Sequence, residues 1–280
     1  MNGVHVGSAP SQWQDYIAAP GTANATRARE LFISQIHTIA GGADNVRLLW
    51  LPKNTDTTTT TSEEKDARVF TYDATIASRI SALGSGVAVS FDGTDDEADV
   101  PDADDFSLGD SLTDMPFSVM GLVNQTASAT FKTILSKHDL TTGAQKREWR
   151  FALNSTEQVY FECVDESASA TIARYYNTVL ASSAWMLLTA TYDGSRASSG
   201  IALYYNVARV DDTSEDVGTY VAMENGASLV RLGFAQGAAA GVQFFSGSMA
   251  FVALIARQVQ QDEVMAAAKA CNAYFNLALV

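Results

Sequence analysis

The sequence predicts an all-β protein, built as two antiparallel sheets packed face to face, with one helix before the sheets and one after. Three observations carry that reading. From Ser85 to Ile255, short runs place apolar residues at every second position, the period of a half-buried strand. The runs are separated by turn residues: Asn124, Thr142-Gly143, Asn154-Ser155, Asp193-Gly194 and Glu224-Asn225-Gly226. Only near the two ends does the apolar spacing change to that of a helix.

Taken in order, residues 1–21 carry little pattern. Trp13, Tyr16 and Ile17 stand at helical spacing, but Pro10, Pro20 and Gly21 bracket them, so an irregular arm and a short helix are both open. A helix is predicted from Thr22 or Asn24, either of which can cap it, with Leu31, Phe32, Gln35, Ile36 and Ile39 on one face and Gly41-Gly42 ending it. Val46–Leu51 reads as a short strand closed by Pro52. The polar run from Asn54 reads as a loop or an edge strand. Arg68–Tyr72 is a strand candidate, and Asp73–Leu83 a short helix or an irregular crossing.

In Ser85–Thr94, Val87, Val89 and Phe91 alternate with Ala88 and Ser90, and Asp92-Gly93 turns the chain. Strands are then predicted at 117–123, 131–137, 148–153, 158–164, 170–176, 185–192, 201–210, 228–233 and 245–255. A final helix follows over 260–275. Asp262 and Glu263 favour its positive N-terminal end, and Val264, Ala267, Ala268, Cys271 and Phe275 form its apolar face.

At 280 residues, 47% hydrophobic and 18% charged, the chain has the composition of a globular protein. Its net charge of −14 repels phosphate backbones and argues against a nucleic-acid partner. No apolar run is long enough to insert in a membrane. The N-terminus lacks the basic and apolar regions of a secretory signal, which predicts synthesis without secretion. Residues 1–62 balance four basic groups (Arg27, Arg29, Arg47, Lys53) against four acidic ones (Asp15, Glu30, Asp44, Asp56), so the remainder holds the whole negative charge. That contrast divides the chain into an attachment arm with one helix, residues 1–65, and an acidic body, residues 66–280. The arm is expected to bury itself on other subunits. Cys163 and Cys271 are read as small buried hydrophobes.

Three stretches carry a resemblance. Val89-Ser-Phe-Asp-Gly-Thr-Asp-Asp96, then Trp185-Met-Leu-Leu-Thr-Ala-Thr-Tyr-Asp-Gly194 with Ala202-Leu-Tyr-Tyr-Asn206, and finally Phe245-Ser-Gly-Ser-Met-Ala-Phe-Val-Ala-Leu-Ile255 followed by Gln261-Asp-Glu-Val264 resemble, in that order, the laminin G-like, concanavalin A-like lectin/glucanase jelly rolls. Val207 stands where that family usually has glycine. The resemblance implies a jelly-roll sandwich over roughly 66–257. It also implies glycan binding, protein adhesion or glycoside cleavage.

Cleavage needs two carboxylates set a defined distance apart across the scissile bond. The family's glucanases carry Glu-x-Asp-x-x-Glu on one strand. The nearest string here, Glu162-Cys-Val-Asp165-Glu166, puts Glu162 and Asp165 on opposite faces. His5, His37 and His138 are scattered, with no zinc spacing. No enzyme is therefore expected. Residues 92–114 hold ten acidic side chains and no basic one. Relatives of this fold often hold calcium at a loop rim, and Asp92, Asp95 and Asp99, with Asp96 among them, offer the oxygen ligands calcium prefers; a solvated acidic loop is the other reading. Trp149, Tyr175, Tyr176 and Tyr204, with Tyr205, are candidate platforms for sugar rings, against the plainer reading of core or rim packing.

Together these features predict a non-catalytic structural and adhesion protein of a large assembly. A virion component suits a binding module that lacks a secretion signal, as a capsid decoration or a part of a tail fibre. A free glycan-binding protein, or a glycoside-cleaving enzyme, is the alternative.

Overall fold

A computed structural model describes residues 22–64, 66–140, 146–237 and 243–280. The N-terminal stretch containing Trp13, Tyr16 and Ile17 lies outside them. Strands are numbered along the chain. The first sheet runs, edge to edge, Ala208–Arg209 (β14), Ile201–Tyr205 (β13), Trp185–Tyr192 (β12), Phe117–Gln125 (β7), Ser246–Ile255 (β17), Gly86–Asp92 (β5) and Ile80–Leu83 (β4). Val46–Trp50 (β1) also pairs with β17. The second sheet runs Thr213–Ser214 (β15), Ala170–Tyr175 (β11), Val159–Asp165 (β10), Lys146–Leu153 (β9), Lys132–Asp139 (β8), Val230–Leu232 (β16), Ala98–Val100 (β6), Val69–Tyr72 (β3) and Thr59–Thr61 (β2). The ladders of both sheets are antiparallel. This is the two-sheet sandwich that the alternation implied, and it is consistent with the jelly roll that the resemblance implied.

Alternation decides what fills the space between the sheets. Val89 and Phe91 of β5, Phe117, Val119 and Val123 of β7, and Trp149 and Phe151 of β9 all point into one core. Their alternates on the first sheet point the other way, and many of those are also apolar: Ala88, Met120, Leu122, Leu187 and Phe251. A sheet with two apolar faces needs a second cover. Two helices supply it, Thr22–Ile39 (α1) and Gln261–Phe275 (α2). Ala28, Phe32, Ile36 and Ile39 of α1 and Val264, Ala267, Ala268, Cys271, Tyr274 and Phe275 of α2 pack on that outer face. The molecule is therefore three layers thick.

The arm expected over residues 1–65 is corrected at this point. From Thr22 onward it is part of the body. Phe32 meets Phe251, Tyr274 and Phe275 at ring-centroid distances of 5.2, 4.9 and 5.5 Å. β1 extends the edge of β17, and its Trp50 is buried between the sheets, donating Nε1–H to the Tyr72 hydroxyl at 2.9 Å. The neutral charge of this stretch marks a covered layer and not a detached one. Arg29 reaches the Leu51 and Pro52 carbonyls and Glu63, which ties the helix to the chain leaving β1. Of the polar run, Thr59–Thr61 forms an edge strand. Asp73–Leu83 holds one 3-10 turn, Ala77–Arg79, and then β4.

The other boundaries fall within a few residues of expectation. α2 begins in a capping box, with Gln260 and Glu263 exchanging side-chain and backbone bonds. The β13–β14 hairpin forms without glycine at 207. Asn206 takes the left-handed conformation (φ 56°), and its Oδ1 accepts from the Leu187 amide at 3.0 Å. Cys163 and Cys271 are free thiols, buried in different layers.

Candidate functional site

The helices cover only part of the first sheet. On each of its four middle strands the outward side chain changes character one step beyond the helix layer: Ala88 to Ser90 on β5, Ala250 to Ser248 on β17, Leu122 to Asn124 on β7, Leu187 to Trp185 on β12. Ser90 is the cross-strand partner of Ser248, Ser248 of Asn124, and Asn124 of Trp185. Cross-strand partners share a face, so the four form one continuous row.

Above this row lies an open pocket of about 480 Å³, lined by Ser90, Phe91, Asp92, Asn124, Thr126, Ser183, Ser246, Gly247 and Ser248. Gly247 sits at φ 135°, and a Cβ there would come within 2.3 Å of the Asn124 carbonyl oxygen, so β17 and β7 approach closely only because it is glycine. The side chains of Ser90, Asn124, Thr126, Ser183, Ser246 and Ser248 make no hydrogen bond among the described residues, and all are at least partly exposed. Trp185 is half-buried against the helix layer. Hydroxyls and an amide on a shallow floor are groups that can bind a polar ring compound, and Trp185 stands next to that floor as the cross-strand partner of Asn124.

A family comparison identifies the group to which the fold belongs. Residues 92–265 match the family described as the concanavalin A-like lectin/glucanases superfamily. The chain belongs to that superfamily. The matched span includes β7, β12 and β17, three of the four strands of the polar row. No curated protein matches the chain. Among solved structures, the ligand-binding domain of botulinum neurotoxin serotype D, in complex with N-acetylneuraminic acid, is similar over 82% of this chain and 52% of its own, at 10% identity and a TM-score of 0.54. A Trypanosoma rangeli sialidase is similar over 80% of this chain and 32% of its own, at 11% identity and a TM-score of 0.50. The CBM40 of a Ruminococcus gnavus sialidase, bound to α2,3-sialyllactose, aligns over 56% of this chain and 83% of its own, at 15% identity and a TM-score of 0.46. The chain thus spans about half of the neurotoxin domain and a third of the Trypanosoma sialidase. At these identities the likeness is one of fold.

The aromatic residues singled out in this superfamily member do not share a surface. Trp149 is fully buried between the sheets, 6.1 Å from Phe117, and donates Nε1–H to the Phe106 carbonyl at 3.1 Å. It is core, not platform. Tyr204 is buried in the helix-side layer, while Tyr205 leans on the inter-sheet core. Tyr175 and Tyr176 are half-buried at the end of β11, in the other sheet. Trp185, read in the sequence as the start of a strand and of a stretch that carries the resemblance, is the aromatic residue placed beside open polar groups.

The acidic turn is also regrouped. Asp73, Asp95 and Asp96 bring one carboxylate oxygen each within 4.8 Å of one another. Asp92 instead holds the turn, its Oδ1 accepting from the Thr94 and Asp95 amides at 2.7 and 3.3 Å. Asp99 lies beside Arg231, 3.3 Å away. Arg79 ion-pairs with both Asp96 and Asp73, so a guanidinium supplies the positive charge among these carboxylates. The fold thus assembles Asp73, Asp95 and Asp96 around Arg79, and does not bring Asp92, Asp95 and Asp99 together as one ligand set.

On the outer face of the second sheet, charges are buried and paired. Glu162 accepts from the Tyr160 hydroxyl at 2.8 Å and lies 2.7 Å from Arg150 and 3.4 Å from His138. Arg150 also covers the Phe131 and Tyr160 rings. Arg150, with His138, holds the Glu162 carboxyl below the usual range even against burial, and burial pushes the His138 imidazole down to about 4. Asp165 points away from Glu162, accepting from the Ala168 and Val221 amides at 3.0 and 2.9 Å. Glu166 is held by Arg147 at 2.7 Å. Each carboxylate of the string thus has its own structural partner.

Proposed function

We propose that this chain is a non-catalytic glycan-binding and adhesion module, displayed on a large assembly such as a virion, where it serves as a capsid decoration or a tail-fibre part. The polar row on the first sheet carries the reading. Six side chains with free hydrogen-bonding capacity face one open pocket beside Trp185, and a sugar ring offers hydroxyls for the first and an apolar C–H face for the second. Membership of the lectin/glucanase superfamily supports it, as do structural neighbours described in complex with N-acetylneuraminic acid and with 2,3-difluoro-KDN. Binding without turnover fits the pairing of Glu162, Asp165 and Glu166 with structural partners, since cleavage needs one carboxyl free to donate a proton and another free to attack or activate water.

With residues 22–62 bound into the body, attachment narrows to residues 1–21, whose Trp13, Tyr16 and Ile17 would bury apolar surface on a neighbouring subunit. No helix of the described residues is long and apolar enough to cross a membrane.

The test is a glycan array probed with the whole chain and with Asn124→Ala and Trp185→Ala. Retention on a defined set of glycans, lost in both variants, is expected. Retention unchanged in both would remove the pocket from the reading, and no retention on any glycan would overturn it. For the assembly, the chain should be detected on purified particles and lost from them when residues 1–21 are deleted.

A further inference from the structure

Resting on the glycan-binding reading, we infer that the pocket on the first sheet selects neutral sugars and rejects sialylated, sulfated or uronic-acid glycans, with Asp92 as the discriminating residue. Among the described residues the lining has one charged group, the exposed Asp92 carboxylate, and no cation. Every other polar lining side chain is a hydroxyl or an amide, which bonds sugar hydroxyls without favouring a negative charge. Anionic sugars are held where a guanidinium, an ammonium or clustered backbone amides meet the carboxylate or sulfate. Here the nearby cations are already committed. The Lys132 side chain is fully buried and ion-paired with Glu157, with Gln125 and the Thr126 carbonyl as further acceptors. Arg79 lies between Asp73 and Asp96.

Asp92 has no ion pair among the described residues, and its Oδ1 is anchored by the Thr94 and Asp95 amides. Its own amide donates to Asp96 Oδ2 at 2.8 Å, so the Asp73, Asp95 and Asp96 group adjoins it. Four carboxylates against one guanidinium leave the rim negative. An incoming carboxylate would be repelled there and would find only neutral hydroxyl and amide donors, without the charge-assisted bond that repays its lost hydration. This separates the chain from the neurotoxin domain, whose structure holds N-acetylneuraminic acid.

The experiment is calorimetric titration of the whole chain with matched oligosaccharide pairs. Each pair is a neutral glycan and the same glycan carrying one sialic acid, sulfate or uronic acid; lactose and 3′-sialyllactose form one pair. For every core that binds, the neutral member should bind at least about tenfold more tightly, equal to about 1.4 kcal/mol. The gap should narrow in Asp92→Asn, which keeps the Oδ1 acceptor for the turn, and narrow further in Asp92→Lys. Acidic members binding as tightly as neutral ones would overturn the inference and leave the glycan-binding reading standing. A gap unchanged in both variants would overturn the role of Asp92. No binding by any member would overturn the glycan reading itself.

Discussion

Replacing Phe32 with alanine tests whether the N-terminal helix is part of the cooperative fold. Phe32 is fully buried, edge-on to Phe251 and Phe275 and stacked on Tyr274. Truncation removes about 100 Å² of apolar surface from the buried layer, or about 2.5 kcal/mol at ~25 cal/mol per Å². The cavity adds about 1–2 kcal/mol, because β17 beneath and α2 beside it belong to packed elements that close only partly. The expected loss is therefore about 4 kcal/mol. With a urea slope of about 3 kcal/mol per M for a chain of this size, the unfolding midpoint should fall by about 1.3 M at constant slope. The assay is urea denaturation followed by tryptophan fluorescence and far-ultraviolet circular dichroism, with coincident transitions. A midpoint shift below about 0.3 M would mean that α1 is not coupled to the sandwich, and would restore a detachable arm.

Three further outcomes are expected. His138→Gln should change how stability depends on pH: the wild-type imidazole is held neutral down to about 4, whereas in the unfolded chain it gains its proton near ~6.5. Wild type should therefore lose about 3 kcal/mol relative to the variant as pH falls through that window, measured as a difference because Glu97 and Glu148, pushed up to about 7 by burial, favour the fold as pH falls; equal pH profiles would refute it. Gly247→Ala forces a side chain to φ 135° and against the Asn124 carbonyl, so it should cost at least about 1–3 kcal/mol, and an unchanged melting temperature would contradict the β7–β17 approach. Arg79→Gln leaves Asp73, Asp95 and Asp96 without their counter-ion, so calcium should raise the variant's melting temperature and chelator should lower it; a wild type equally sensitive to chelator would show that Arg79 does not fill that role.

The ladder of strands was legible because each carries its own alternation. Glu148-Trp149-Arg150-Phe151 shows why the site was less so. That alternation places Trp149 with Phe151 on the apolar side, so its burial could be read from neighbours two residues away. In Ile201–Tyr205 every residue is apolar or aromatic, so parity separates Tyr204 from Tyr205 but does not say which one faces the helices. The polar row had no local signal. Ser90, Asn124, Trp185 and Ser248 come from four strands distant in sequence, and only the strand order sets them side by side. The counter-ion of the acidic turn was hidden for the same reason, since Arg79 precedes β4 and reaches the turn only once β4 pairs with β5. The docking of α1 was half-visible: its apolar face could be read, but its partner surface, the outward alternates of β7 and β17, looked like ordinary strand residues.

The place of β17 has a consequence for how the chain is made. One edge of this strand bonds to β7; the other is shared, Ser246–Met249 with β5 and Val252–Ile255 with β1. Val46 thus waits for Ile255, and the middle of the first sheet stays open until the chain has left the ribosome as far as Ile255. Pairings so distant in sequence are slow to close. In the interval the edges of β5 and β7 and the apolar face under α1 are exposed together, which is the condition under which nascent chains aggregate or pair with one another. Chaperone demand during synthesis should therefore concentrate before β17 emerges, and a chain cut short before Ser246 should be insoluble although most of its strands are present.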